Sequence, residues 1–234
     1  MDKKNNHKPL LLIGERKLLY LCKYLFYPMN YSFKILLFLG FLNLLPVSGL
    51  FAQSWSFVKE KDGIKVYTRR ESNSAMKSFK GDVTFKASLQ KVYSMLGNDK
   101  NNDWWDKAIT DVKVLGYKEN KYIQYYLVYN LPWPFKKRDI VTETTITTNT
   151  VTGVRIYTAI PLPNKVPEKS NLVRIKEFRQ TWTVEPQDKG TIHITLEGSV
   201  NPGGSIPAWL YNMVITEAPL KMLTSLRDKS TSGK

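Results

Sequence analysis

Short runs of alternating polar and apolar residues dominate the chain from residue 63 onward. "GIKVYTRR" (63–70) and "KSFKGDVTF" (77–85) alternate strictly enough, and are rich enough in β-branched and aromatic residues, to predict half-buried strands. The same pattern recurs in "DVKVLGY" (111–117), "KYIQYYLVYN" (121–130), "RDIVTETTITT" (138–148), "GVRIYTAI" (153–160), "NLVRIKEFRQTWTVE" (171–185) and "TIHITLEGS" (191–199). Turn signals such as "KEN", "TNTVTG" and "PQDKG" separate these runs, so successive strands are expected to pair antiparallel.

Three stretches switch to helical spacing. In "SLQKVYSML" Ser88 can cap a helix that places Leu89, Val92, Tyr93 and Leu96 on one face. "GNDKNNDWWDKAI" reads as a polar turn and a short helix presenting Trp104, Trp105 and Ile109. Near the end, "NPGGSIP" stops the last strand, since Pro lacks an N–H and Gly permits positive φ. Ser205 is the expected N-cap of a helix over 206–228, with Ile206, Trp209, Leu210, Met213 and Val214 at i, i+3, i+4, i+7 and i+8. That helix would be roughly 34 Å long and kinked by Pro219. The predicted fold is α+β: a curved antiparallel sheet of eight or nine strands wrapped around a long C-terminal helix. The space between them is either a side-chain core or a ligand cavity.

The head of the chain differs. Residues 29–52 carry Lys34, an apolar run to Leu45, and the turn-prone Pro46-Val47-Ser48-Gly49, which is the layout of a secretory signal peptide. Cleavage is expected between Ala52 and Gln53, although Leu50 at the −3 position is large. The "LFAQ" ending resembles the leader ends of exported bacterial proteins. An uncleaved membrane anchor is the alternative, because the run approaches the ~20 residues that span a bilayer. With Met29 as the start of the leader, residues 1–28 are a non-native upstream extension or a long n-region. The expected globular domain is therefore 53–234, in the periplasm or associated with the envelope.

This partition changes the charge and cysteine arguments. The full chain of 234 residues carries 35 Lys/Arg against 20 Asp/Glu, a formal +15. Removing the seven Lys/Arg and two Asp/Glu before Gln53 leaves 28 against 18, a net +10. Such a surface suits an anionic membrane; for an exported protein, nucleic acid is not an expected partner. The single cysteine, Cys22, falls in the extension, so disulfides play no part.

Catalytic chemistry finds little support. His193 is the only histidine after residue 52, and alternation puts it with Thr191 and Thr195, opposite Ile192 and Ile194. One histidine without clustered carboxylates or cysteine predicts no metal site. Asp103 and Asp106 are three apart beside two tryptophans and read as caps or surface acids as readily as paired acids. Asp139 beside Arg138 reads as an ion pair. No G-x-S-x-G, P-loop or dinucleotide-binding fingerprint occurs.

Four segments in order resemble signatures of the START (StAR-related lipid-transfer) domain family: "DGIKVYTR", "LPWPFKKRDIV", "SNLVRIKEFRQTWTVEP" and "NPGGSIPAWLYNM". The likeness spans 55–228 and is nearest to the branch of phosphatidylcholine carriers. It implies a helix-grip fold, one buried hydrophobic ligand, and a lid made of the C-terminal helix and the loop "NLPWPFKKRD". It also implies carriage of a lipid rather than catalysis.

The family's head-group residues do not carry over intact. The choline-cage positions fall on Leu127, Ile140 and Phe178, of which only one is aromatic. Asp106 after Trp105 matches the phosphate-binding acid, but the arginine position holds Asn102. The acid and base of the sterol-binding members fall near Tyr129 or Asn130 and at Thr144, so that pair is missing. The resemblance therefore assigns neither phosphatidylcholine nor sterol.

The expected function is binding, and transfer, of a lipid or other hydrophobic ligand in an internal cavity. Two alternatives stay open: a helix-grip enzyme of cyclase or hydrolase type, and a ligand-free envelope interaction module. The expected ligand contacts are Trp105, Asp106, Tyr126 or Leu127 (parity open), Trp133, Ile140, Phe178, Trp182, Trp209 and Met213. Trp133, Phe135, Lys136 and Lys137 should touch an anionic membrane transiently. No cofactor is expected, and the protein should be a monomer.

Overall fold

Alternating sequence and tight turns build two antiparallel meanders that join edge to edge in one sheet in the computed structural model, which describes residues 54–232. The expectations for 1–28, for the leader at 29–52 and for cleavage between Ala52 and Gln53 lie outside the described residues.

The strands are β1 (Ser56–Lys61), β2 (Ile64–Glu71), β3 (Ser74–Lys86), β4 (Ile109–Lys118), β5 (Tyr122–Tyr129), β6 (Arg138–Thr148), β7 (Arg155–Pro161), β8 (Val173–Arg174), β9 (Glu177–Pro186) and β10 (Thr191–Asn201). Nine of them form a sheet in the order β1-β2-β3-β10-β9-β7-β6-β5-β4, and the two-residue β8 pairs in parallel with β6. Hairpin-linked neighbours pair antiparallel, as the turn signals require. The sequence pattern passes over β1, whose "SFVKEK" is mostly exposed and has no buried face to alternate. It also fuses β8 with β9 into one strand.

Helix α1 (Leu89–Gly97) forms where its spacing predicts, with Ser88 accepting the Lys91 N–H at its start. The segment holding Trp104 and Trp105 is a series of turns instead of a helix. The Trp104 indole N–H donates to the carbonyls of Met95 and Asn101, which anchors those turns to the end of α1.

The C-terminal stretch is two helices, α2 (Ala208–Val214) and α3 (Glu217–Thr231), not one kinked rod. Pro219 is the cause, acting one turn upstream. Its missing N–H and its ring both fall on the carbonyl four residues back, Ile215, where the break lies. The Ala218 N–H bonds that carbonyl instead, closing a tighter turn. Helix α2 begins after Pro207 without a side-chain cap, and Ser205 is exposed rather than capping.

Helix α3 packs on β2, β3 and β10 and against α1, and α2 rests on β3. The main core joins Ile64, Val66, Val92, Ile194, Leu196, Leu223 and Leu226, all fully buried, to Trp104 and Trp182. Gly81 lets α3 approach: a Cβ there would lie 2.6 Å from Leu223 Cδ1 and 3.0 Å from Pro219 Cβ. Gly81→Ala should therefore cost about 1–3 kcal/mol, read as a lower urea midpoint with an unchanged m-value. An unchanged midpoint would show that the contact yields freely.

Candidate ligand site

Cross-strand register decides which residues line the inner face, because directly opposed side chains share a face. Leu127 pairs with Ile140, Tyr125 with Thr142, and Tyr129 with Arg138. Further along the sheet Tyr157 pairs with Trp182, and Phe178 with Val200. The Tyr125 ring meets Trp105 at 5.1 Å, Trp105 meets Trp104 at 6.4 Å, and Trp104 meets Trp182 at 5.9 Å. This aromatic chain marks the concave side. The helices cover its β2, β3 and β10 half. Leu127, Ile140 and Phe178 lie towards the other half and, among the described residues, outside the close-packed core.

The parity left open by the sequence resolves in favour of Leu127. Tyr126 points to the outer face, where it packs with Val128, Val141, Leu162, Val166 and Leu172 beneath the loop before β8, and Lys169 Nζ sits 4.9 Å from its ring. Trp105, Leu127, Ile140 and Phe178 occupy the expected face. Trp182 is on it too, but as a buried member of the core.

Trp209 and Met213 depart from expectation. They are 68% and 63% exposed, and Val214 is exposed beside them. Helix α2 is rotated so that Tyr211 and Ile215 face the sheet. Asn212 fixes that rotation: its amide donates to Ala75 O at 2.9 Å and accepts from Lys77 N at 2.8 Å. Trp209, Met213 and Val214 thus stay unpacked because one side-chain amide satisfies the start of β3, while Ile206 at the head of the same stripe still packs against the core. Trp133, 92% exposed, likewise departs from its expected place as a ligand contact; Lys136 and Lys137 are exposed, and Phe135 is half-buried.

The polar groups separate by face. Asp106 accepts from Ala108 N at 2.9 Å and from the Tyr129 hydroxyl at 3.4 Å. Asp103 instead pairs with Lys229, so the two acids do not form a dyad. Burial, reinforced by Asp106, pushes the Tyr129 hydroxyl up to about 12. Its protonated form is favoured by folding, so this contribution is intact below pH 10 and is lost as pH rises towards 12. Tyr129→Phe should flatten the fall in stability over that window, measured by urea titration at stepped pH. An identical slope would assign the alkaline loss to other tyrosines.

His193 lies on the outer face, hydrogen-bonded to Thr84 and Thr195 at 3.0 and 3.2 Å and far from the inner aromatic chain. Asp139 does not pair with Arg138, because adjacent strand residues point to opposite faces. It takes both ends of the buried Arg174 guanidinium, at 3.0 and 2.8 Å, and this hydrogen bonding raises the arginine's pKa further. Arg174 also donates to the carbonyls of Pro163, Val166 and Pro167, pinning the loop before β8. Arg138, 3% exposed, donates to the carbonyls of Lys136, Pro202 (3.0 Å) and Gly203 (2.9 Å).

A profile of the START domain matches residues 50–228. The chain belongs to the START domain family. A crystallised STAR-related lipid transfer protein from Xanthomonas axonopodis superposes with a TM-score of 0.69 at 30% identity, covering 76% of this chain and 99% of that one. An uncharacterised protein of Pseudomonas aeruginosa is 31% identical over 75% of this chain and 86% of its own length. The phosphatidylcholine transfer protein of Rattus norvegicus is 27% identical over 68% of this chain and 75% of its own. The START fold accounts for the sheet and the C-terminal helices, and lipid binding and transfer are the family's known business.

In this START domain sequence reasoning missed the tie of Tyr129 to Asp106 and the backbone carbonyls that Arg138 holds. Strand parity in "KRDIV" was the available signal for Arg138, since it forces that side chain and Asp139 apart.

Proposed function

We propose that this START domain holds one lipid or similar apolar ligand against the inner sheet face, carries it without catalysing a reaction, and exchanges it at an anionic membrane. The observation that carries the reading is the strip Leu127, Ile140 and Phe178 on the concave face, apolar and outside the core that the helices fill. Asp106 and Tyr129 supply one polar contact at its margin. Saturable binding of a fluorescent acyl-chain probe, displaced by phospholipid extract, is expected. Absence of displaceable binding would contradict the reading.

Trp133, Lys136, Lys137 and the exposed face of α2 form the membrane contact in this proposal. Apolar tips beside cations partition to an anionic interface. Lys136→Glu with Lys137→Glu should weaken binding to anionic vesicles by roughly 1 kcal/mol per charge, with marked salt dependence. Equal sedimentation of mutant and wild type would remove these lysines from the contact. The proposal also includes export, with the mature chain starting at or near Gln53. N-terminal sequencing of the envelope fraction checks that, and an intact Met1 or Met29 would overturn it.

A further inference from the structure

Among the described residues two arginines are buried, and they are not treated alike. Arg174 has a carboxylate, Asp139, on two of its nitrogens, which makes it a fixed pin. Arg138 has only neutral backbone carbonyls, and among the described residues no carboxylate lies within ion-pair distance of it. Burial alone shifts its pKa, downward, as expected of a cation without a counter-ion.

The carbonyls it holds belong to two segments. Lys136 belongs to the loop bearing Trp133, while Pro202 and Gly203 form the turn that leads into α2. That turn pivots on Gly203 and Gly204, both at positive φ (64° and 66°). Arg138 therefore ties together the two pieces that the proposed membrane contact comprises.

We propose that Arg138 is an anion-responsive latch: an acidic lipid headgroup takes the guanidinium away from the 202–203 carbonyls and frees the turn and α2 to swing. Charge-assisted bonds to a phosphate are stronger than those to neutral carbonyls, and the guanidinium fork fits phosphate two-pronged. The closed state buries an uncompensated cation, whereas the open state rehydrates and pairs it. An anionic surface that binds only the open state shifts the population towards it. The latch rests on the membrane reading above, but its test has a readout of its own.

Val173 offers the decisive substitution. It is Arg138's register partner on β8, and its Cγ1 lies 3.2 Å from where a Cβ on Gly203 would sit. Val173→Asp would set a carboxylate beside the guanidinium, and Val173→Asn is the uncharged control of the same shape. Amide exchange over 201–214 is measured for the full chain alone, with phosphatidylglycerol vesicles, with phosphatidylcholine vesicles, with monomeric dihexanoyl phosphatidylglycerol, and with inorganic phosphate.

In wild type and Val173→Asn, exchange should quicken about five-fold or more with either phosphatidylglycerol form. Phosphatidylcholine vesicles should leave it unchanged. Val173→Asp should be more protected and unresponsive. A response to inorganic phosphate alone would overturn the headgroup assignment. No response in wild type to monomeric phosphatidylglycerol or to bound vesicles, or an equal response in Val173→Asp, would overturn the latch. An acyl-probe result that excludes lipid carriage would leave the exchange result standing, so the two failures are distinguishable.

Discussion

Asp139→Leu should lower the unfolding free energy by about 3–5 kcal/mol, because it strands the Arg174 guanidinium in the interior without its carboxylate. Both side chains are essentially inaccessible, so water cannot replace the lost partner. The loop before β8 would lose its pin at the same time, since Arg174 holds three of its carbonyls. Removing the charge together with its partner is a different experiment. Asp139→Leu with Arg174→Met should recover much of the loss, as apolar replacement of a buried pair is often close to neutral. Urea unfolding of the three variants measures this directly. A single-mutant loss below about 1 kcal/mol would mean that the pair is hydrated and the loop is held by other contacts.

The second large effect concerns binding. Leu127→Trp should project an indole along the strip beside Ile140 and reduce acyl-probe affinity at least about ten-fold, or roughly 1.4 kcal/mol. Folding should be nearly unaffected if the strip faces an open space. Were it close-packed, overpacking would cost about 1–3 kcal/mol and the urea midpoint would fall. The paired readouts separate a ligand site from ordinary core. Met213 is unsuitable for this test, because it faces away from the sheet.

Much of this architecture was legible in the sequence because its signals are local. Alternation located eight strand runs, and Ser88 located the start of α1. The "NPGGSIP" turn was also read as the junction before the C-terminal helix. The failures arose where a distant partner decided the outcome. Helical spacing placed Trp209 and Met213 inward, but Asn212 bonds β3 across more than a hundred residues and turns them out. Pro219 suggests a kink in one helix, whereas the Ile215 carbonyl, denied a partner at 219 and bonded by Ala218 N in a tighter turn, ends one helix before the next begins. Strand alternation turns Asp139 away from its neighbour Arg138, and its true partner, Arg174, is 35 residues away and directly opposite it on β8. Asp106 could be matched by motif alone, while its tie to Tyr129 needed the fold.

The central claim is that the strip Leu127–Ile140–Phe178 holds a lipid. Native mass spectrometry of the full chain purified from its own host, followed by organic extraction, tests it most directly. The expected result is one acyl-chain molecule per protein, lost in Leu127→Trp and retained in Lys136→Glu with Lys137→Glu. A bare wild-type mass with an empty extract, or an equal lipid load in Leu127→Trp, would contradict the claim.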